Sequence, residues 1–210
     1  METTRAEQVH QGVNVERLTL IWMVIEMGVS MGAGIAARST LLIAFGLDSL
    51  IELVSGGILL WRLLVEERGG DVERVEQAER RAIRIVAIAL GLLCVYVLLS
   101  AGYGLITHAK PETTLWGIGI SAAAVLFMPY LAARKRRIAR RIRSAALEGD
   151  ATSSITCAFM AGTVLLGLAL NTFFGWWWVE DGAALIFLVW LGRETWEAIE
   201  ETRPPEESIS

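Results

Sequence analysis

Four carboxylates stand where carboxylates are costly. Glu26 lies inside the apolar run Leu18 to Ala37, and Asp48 and Glu52 lie inside the run Thr40 to Leu64. An ionisable side chain within hydrocarbon is expensive, so each marks a functional candidate. Asp48 and Glu52 are four residues apart, which places them on one face of a helix. Two like charges on one face repel each other. In a poorly hydrated site one of them takes up a proton unless a cation sits between them. A bound divalent metal expels the proton, and a proton expels the metal. That is the chemistry a cation/proton exchange site requires.

Asp150 is the fourth. It sits early in a later apolar run, and Asp150, Ser154 and Cys157 follow at i, i+4 and i+7, a single polar helical stripe. Two roles fit Asp150: an admission or relay group for a cation, or a helix-start carboxylate facing the positive end of the helix dipole. Cys157 is either a ligand or a small packing residue. The candidate metal ligands are therefore Asp48, Glu52, Glu26, Asp150 and Cys157.

Other chemistries lack their residues. The sequence has no P-loop, no glycine-rich nucleotide fingerprint and no H-E-x-x-H, which argues against ATP-driven transport within this chain. There is no activated nucleophile with a paired base, so the chain is not expected to be an enzyme. Cys94 and Cys157 both fall in apolar segments and form neither a disulfide framework nor a metal knuckle. His10 and His108 have no second ligand at useful spacing and read as surface residues. No prosthetic group is implied.

These residues must be held by elements that cross a membrane. Of the 210 residues 54% are apolar and 20% are charged, and the charge is gathered into short blocks. That is how a chain divided between hydrocarbon and water looks. Six apolar runs are near the ~20 residues a helix needs to cross a bilayer: Leu18 to Ala37, Thr40 to Leu64, Ala82 to Thr107, Thr114 to Ala133, one ending near Asn171, and Trp176 to Trp196. None alternates as a barrel strand would. Residues 1–17 read as a polar cytoplasmic arm, 65–81 as a charged loop, His108, Lys110 and Pro111 as a turn, and 200–210 as a cytoplasmic tail with Pro204 and Pro205. Gly28 and Gly32 form a G-x-x-x-G pair suited to close helix packing.

Lys and Arg give the orientation. With both termini in the cytoplasm, 14 positive residues lie inside, seven of them in the run Arg134 to Arg143, and only Arg38 and Lys110 lie outside. That is a strong positive-inside bias. The basic run is a topology signal and can also grip anionic lipid heads. A nucleic-acid role would need a soluble basic domain, which is missing.

Three stretches carry a family resemblance. AFGLDSLIELVSG, residues 44–56, resembles the second transmembrane helix of the cation diffusion facilitator family, with Asp48 and Glu52 at its two ligand positions. SAALEGDATSSITCAFMAG, residues 144–162, resembles the fifth helix, and residues 177–199 resemble the sixth, with Asp181 at its acidic position. The resemblance covers about residues 15–200. It implies an all-α polytopic membrane protein with six transmembrane helices and a cation-efflux-like domain in the inner membrane. It also implies a homodimer that exchanges Zn²⁺ or a similar ion for protons by alternating access, with the metal between helices two and five. The family's usual helix-five ligands are a His and an Asp; with Asp150 in the acidic position before them, Ser153 and Cys157 take those places here. Losing imidazole shifts preference toward harder ions such as Mn²⁺, Fe²⁺ or Mg²⁺, and leaves a proton or a monovalent ion as alternatives. The chain stops soon after helix six, so the family's cytoplasmic ferredoxin-like domain, and metal-gated regulation through it, are not expected.

Three functions follow as expectations. The first is a secondary transporter that moves a divalent cation (Zn, Mn or Fe) out of the cytoplasm against protons. The second is a transport-inactive membrane scaffold or partner subunit that keeps the fold. The third is a proton-coupled carrier of an organic solute.

Overall fold

The computed structural model describes residues 5–68, 73–108, 112 and 114–201. They form six helices: α1 (Arg5–Ala37), α2 (Thr40–Glu67), α3 (Glu73–Thr107), α4 (Leu115–Ile142), α5 (Ala145–Phe174) and α6 (Trp177–Glu201). There is no strand among the described residues. The Lys110 and Pro111 turn and the tail bearing Arg203, Pro204 and Pro205 lie outside them.

The helices close a ring in which α1 packs on α2 and α4, α3 packs on α2 and α6, and α5 packs on α4 and α6. α2 also reaches across to α5 and α6, so one helix joins both sides of the ring. The main core carries Phe45 of α2, Met128 of α4, Met160 of α5 and Phe187 of α6, all inaccessible to solvent. Large apolar residues cover the outside instead, among them Leu99, Ile106, Leu126 and Val189. So much exposed apolar surface is stable only against lipid. Among the described residues, five helices are long and apolar enough to cross a membrane: those within Glu7–Ala37, Thr40–Glu67, Arg84–Thr107, Leu115–Ile142 and Ala146–Phe174. α6 has the length, about 37 Å for its 25 residues. Its uncharged middle is short, however, because Glu180 and Asp181 stand near one end and Arg193 and Glu194 near the other.

Side-chain caps set the turns. Ser39, Thr114 and Ser144 each accept from a backbone N–H in the first turn of α2, α4 and α5. Gly175 ends α5 in the left-handed region, at φ 64°. Beyond it Trp176 and Trp178 stack at 5.9 Å between ring centroids, both about half exposed, as befits an aromatic belt.

Several expected boundaries move. Residues 5–17 are the first turns of α1, and Val9, Val13 and Val15 pack in a second core with Leu59, Leu63, Ile138 and Leu147. The expected loop over 65–81 is mostly helix, since α2 runs to Glu67 and α3 starts at Glu73. The basic run is also helix: α4 continues to Ile142, with Ile138, Ala139 and Ile142 buried. Arg and Lys are good helix formers, and a helix can leave hydrocarbon without ending. Among the described residues nothing packs on Gly28 or Gly32: a Cβ on either would meet nothing within 4 Å. Close approach of α1 and α2 falls instead to Gly34, where a Cβ would come within 2.9 Å of the Ile43 backbone nitrogen, and to Gly46 against Met31.

Candidate metal site

α2 is the helix that reaches inside the ring, and it carries Asp48 and Glu52 one turn apart. Cys157 of α5 faces them. One ligand atom from each of Asp48, Glu52 and Cys157 lies within 4.8 Å of the other two. Asp48 and Cys157 are inaccessible to solvent, and Glu52 is 6% exposed. Both oxygens of Asp48, and Oε2 of Glu52, are buried without a hydrogen-bond partner among the described residues. A buried carboxylate oxygen without a partner is costly, unless a ligand completes it. The donor set of two carboxylates and a thiol suits a divalent metal of borderline character.

Glu26 stands beside this group with its bonds already made. Its Oε1 accepts from Ser49 Oγ at 2.7 Å and faces Cys157 Sγ at 3.6 Å, while Oε2 accepts from Trp22 Nε1 at 2.7 Å. It touches Cys157 from behind, and each of its oxygens already accepts at least one hydrogen bond. The inner face of α1 explains its place. Glu16, Thr19, Met23, Glu26 and Ser30 recur at three- and four-residue spacing, and all are buried.

Asp150 lies apart from the Asp48, Glu52 and Cys157 group. It is ion-paired with Lys135 of α4, whose Nζ also lies 3.0 Å from Glu16 of α1. Lys135 and Glu16 are inaccessible to solvent. The polar stripe on α5 thus splits: Asp150 and Ser154 face Lys135, and Cys157 faces α2. In the sequence Lys135 belongs to the basic run that signals topology, and Glu16 to the polar arm. The periodic signal was there, since Met128, Leu131, Lys135, Ile138 and Ile142 mark one buried face of α4.

Ser153 makes the link to α6. Its Oγ is 3.0 Å from Glu52 Oε1 and 2.9 Å from Glu194 Oε1. A cavity of about 660 Å³ opens beside them, lined by Glu52, Ser153 and Glu194, with Asp150 and Gly149 of early α5 at its wall. It lies toward the end of the bundle where α1 begins and α6 ends. A second cavity, of about 510 Å³ and lined by Arg38, Gly104 and Asp181, lies at the opposite end. There Glu180 accepts from Ser39 Oγ.

The family described as the cation efflux transmembrane domain matches residues 17–204. No curated protein matches the chain. A match over nearly the whole helical bundle, around a buried acidic site, shows that the chain belongs to the cation efflux family of membrane transporters.

Proposed function

We propose that this protein is a secondary transporter that carries a divalent metal cation out of the cytoplasm in exchange for protons. The single observation that carries this reading is Asp48. Its two oxygens are buried and unpartnered, one turn from Glu52 and within ligand distance of Cys157. Without a cation, such a group stays buried only with protons aboard. With one, the protons must leave. Metal and protons therefore occupy the same oxygens in turn, which is the linkage an exchanger needs. Cys157 adds a proton to the account, because a thiol binds metal as thiolate. Zn²⁺, Mn²⁺ and Fe²⁺ all accept this donor set, and added hydroxyl and carboxylate oxygens favour the harder two.

The basic end of α4 and the wide cavity lie at the same end of the bundle. The positive-inside bias assigns that end to the cytoplasm, with both termini there. The described conformation is then open to the side from which the ion is taken. A homodimer in the inner membrane is the working unit of this proposal.

The test is transport itself. Proteoliposomes loaded with a metal-sensitive dye should take up Mn²⁺ or Zn²⁺ when a pH gradient is imposed. Asp48→Asn should be inactive. Metal flux that ignores the gradient, or equal flux from Asp48→Asn, would contradict the proposal. One observation favours the second reading, a transport-inactive scaffold: Asp150 is held by Lys135 rather than facing the site. A protein that folds and inserts but binds neither ion would establish that reading instead.

A further inference from the structure

Glu194 is the carboxylate that none of these roles absorbs. It follows Arg193 near the end of α6, where charged residues ordinarily face water. Arg193 does so: it pairs with Glu197 at 3.3 Å, and both side chains are more than half exposed. Glu194 turns the other way. It continues the buried face of Ala184, Phe187 and Leu191 at three- and four-residue spacing. Its Oε2 is buried and has no hydrogen-bond partner.

The partner of its Oε1 is informative. Ser153 Oγ touches both Glu194 Oε1 and Glu52 Oε1. A hydroxyl has one proton to give. It satisfies one of the two carboxylates, and the other contact sets oxygen against oxygen until a proton or a cation joins them. Glu52, 6% exposed, also keeps Oε2 unpartnered and buried. So two carboxylates from different helices converge on one hydroxyl, each with an oxygen unused. All three residues line the wide cavity, whereas Asp48 does not. Glu52 belongs to both groups.

We infer that Glu194, Ser153 and Glu52 form a loading site for the cation, from which it passes through the shared Glu52 to Asp48 and Cys157. This rests on the transporter reading and deepens it. The loading site offers only oxygen: two carboxylates and a hydroxyl, with water completing the shell from the cavity. Such a shell takes a hard divalent ion, Mn²⁺ before Zn²⁺. It also makes α6 a ligand-bearing helix. The ion would tie α6 to α2 and α5 while it loads and release α6 once it moves inward.

Titration calorimetry of the purified full-length protein with MnCl₂, run in two buffers of different ionisation enthalpy, tests this. Glu194→Gln keeps the size of the side chain and the acceptor for Ser153. It should weaken Mn²⁺ binding about tenfold or more and lower the number of protons released per ion. Glu200→Gln, on the exposed face, should match wild type. If Glu194→Gln misfolds on gel filtration, Glu194→Asp decides, and should weaken binding several-fold. Wild-type affinity and proton release in the folded Glu194 variant, with binding lost in Asp48→Asn, would overturn the loading site and leave the transporter standing. If wild type binds no Mn²⁺ or Zn²⁺, or Asp48→Asn binds as wild type does, the transporter reading falls and the loading site falls with it.

Discussion

At the scale of single residues, three buried carboxylates with different partners do different things. Asp48 has none among the described residues, each oxygen of Glu26 accepts at least one hydrogen bond, and Glu16 shares a lysine. Glu26→Gln should therefore weaken metal binding by about tenfold, as loss of an orienting neighbour does, and by less than Asp48→Asn. Equal losses in a binding titration would make Glu26 a direct ligand. Lys135, itself inaccessible to solvent like Glu16, holds Glu16 and Asp150 together. Removing one partner of a buried ion pair leaves an uncompensated charge and costs about 3–5 kcal/mol. Lys135→Met should lower the thermal unfolding midpoint in detergent accordingly, and adding Glu16→Gln should recover part of the loss. An unchanged midpoint would mean that water reaches the triad. Asp48, Glu52 and Glu26 were legible in the sequence because charge in the middle of an apolar run has few explanations. Lys135, Glu16 and Glu194 were not, because they stand near the polar ends, where charge is ordinary. Only the three- and four-residue periodicity of their buried neighbours sets them apart.

At the scale of helices, small residues decide where backbones approach. A Cβ on Gly34 would crowd the backbone of α2 itself, which cannot swing aside as a side chain can. Gly34→Ala should cost about 1–3 kcal/mol, while Gly28→Ala, whose Cβ meets open space, should leave the midpoint of the purified chain unchanged. Comparable losses at both positions would show that the exposed glycine face is packed after all, against another copy. The number and order of helices were readable from apolar length. Their ends were not. Arg, Lys and Glu extend α2, α3 and α4 past the hydrocarbon as readily as they form loops, so the charge block from Arg134 marks the end of the apolar stretch and not of the helix.

At the scale of the whole molecule, six helices in a ring put one acidic helix, α2, in reach of all the others that matter. The wide cavity opens toward the basic end, and the aromatic turn at Trp176 lies at the opposite one. Both exposed ends can be probed in cells. A cysteine introduced as Arg140→Cys should react with a membrane-impermeant maleimide only after lysis, and one introduced as Trp176→Cys should react in intact cells. The reverse pattern would invert the proposed direction of transport. The family resemblance was visible in the sequence from residues 44–56, 144–162 and 177–199, and the match over residues 17–204 agrees with it. The way α5 divides its polar face between Lys135 and α2 was not visible, because it depends on where α4 packs.

The proposed exchange rests on competition between metal and protons for the oxygens of Asp48 and Glu52. Its most direct measurement is the pH dependence of Mn²⁺ and Zn²⁺ binding to the purified protein, with proton release counted alongside. Each bound ion should displace at least one proton, and affinity should rise as pH rises, since fewer protons then have to be expelled. Asp48→Asn should weaken both effects strongly, leaving only what Glu194, Ser153 and Glu52 bind. Affinity independent of pH, or affinity and proton release unchanged in Asp48→Asn, would contradict this competition.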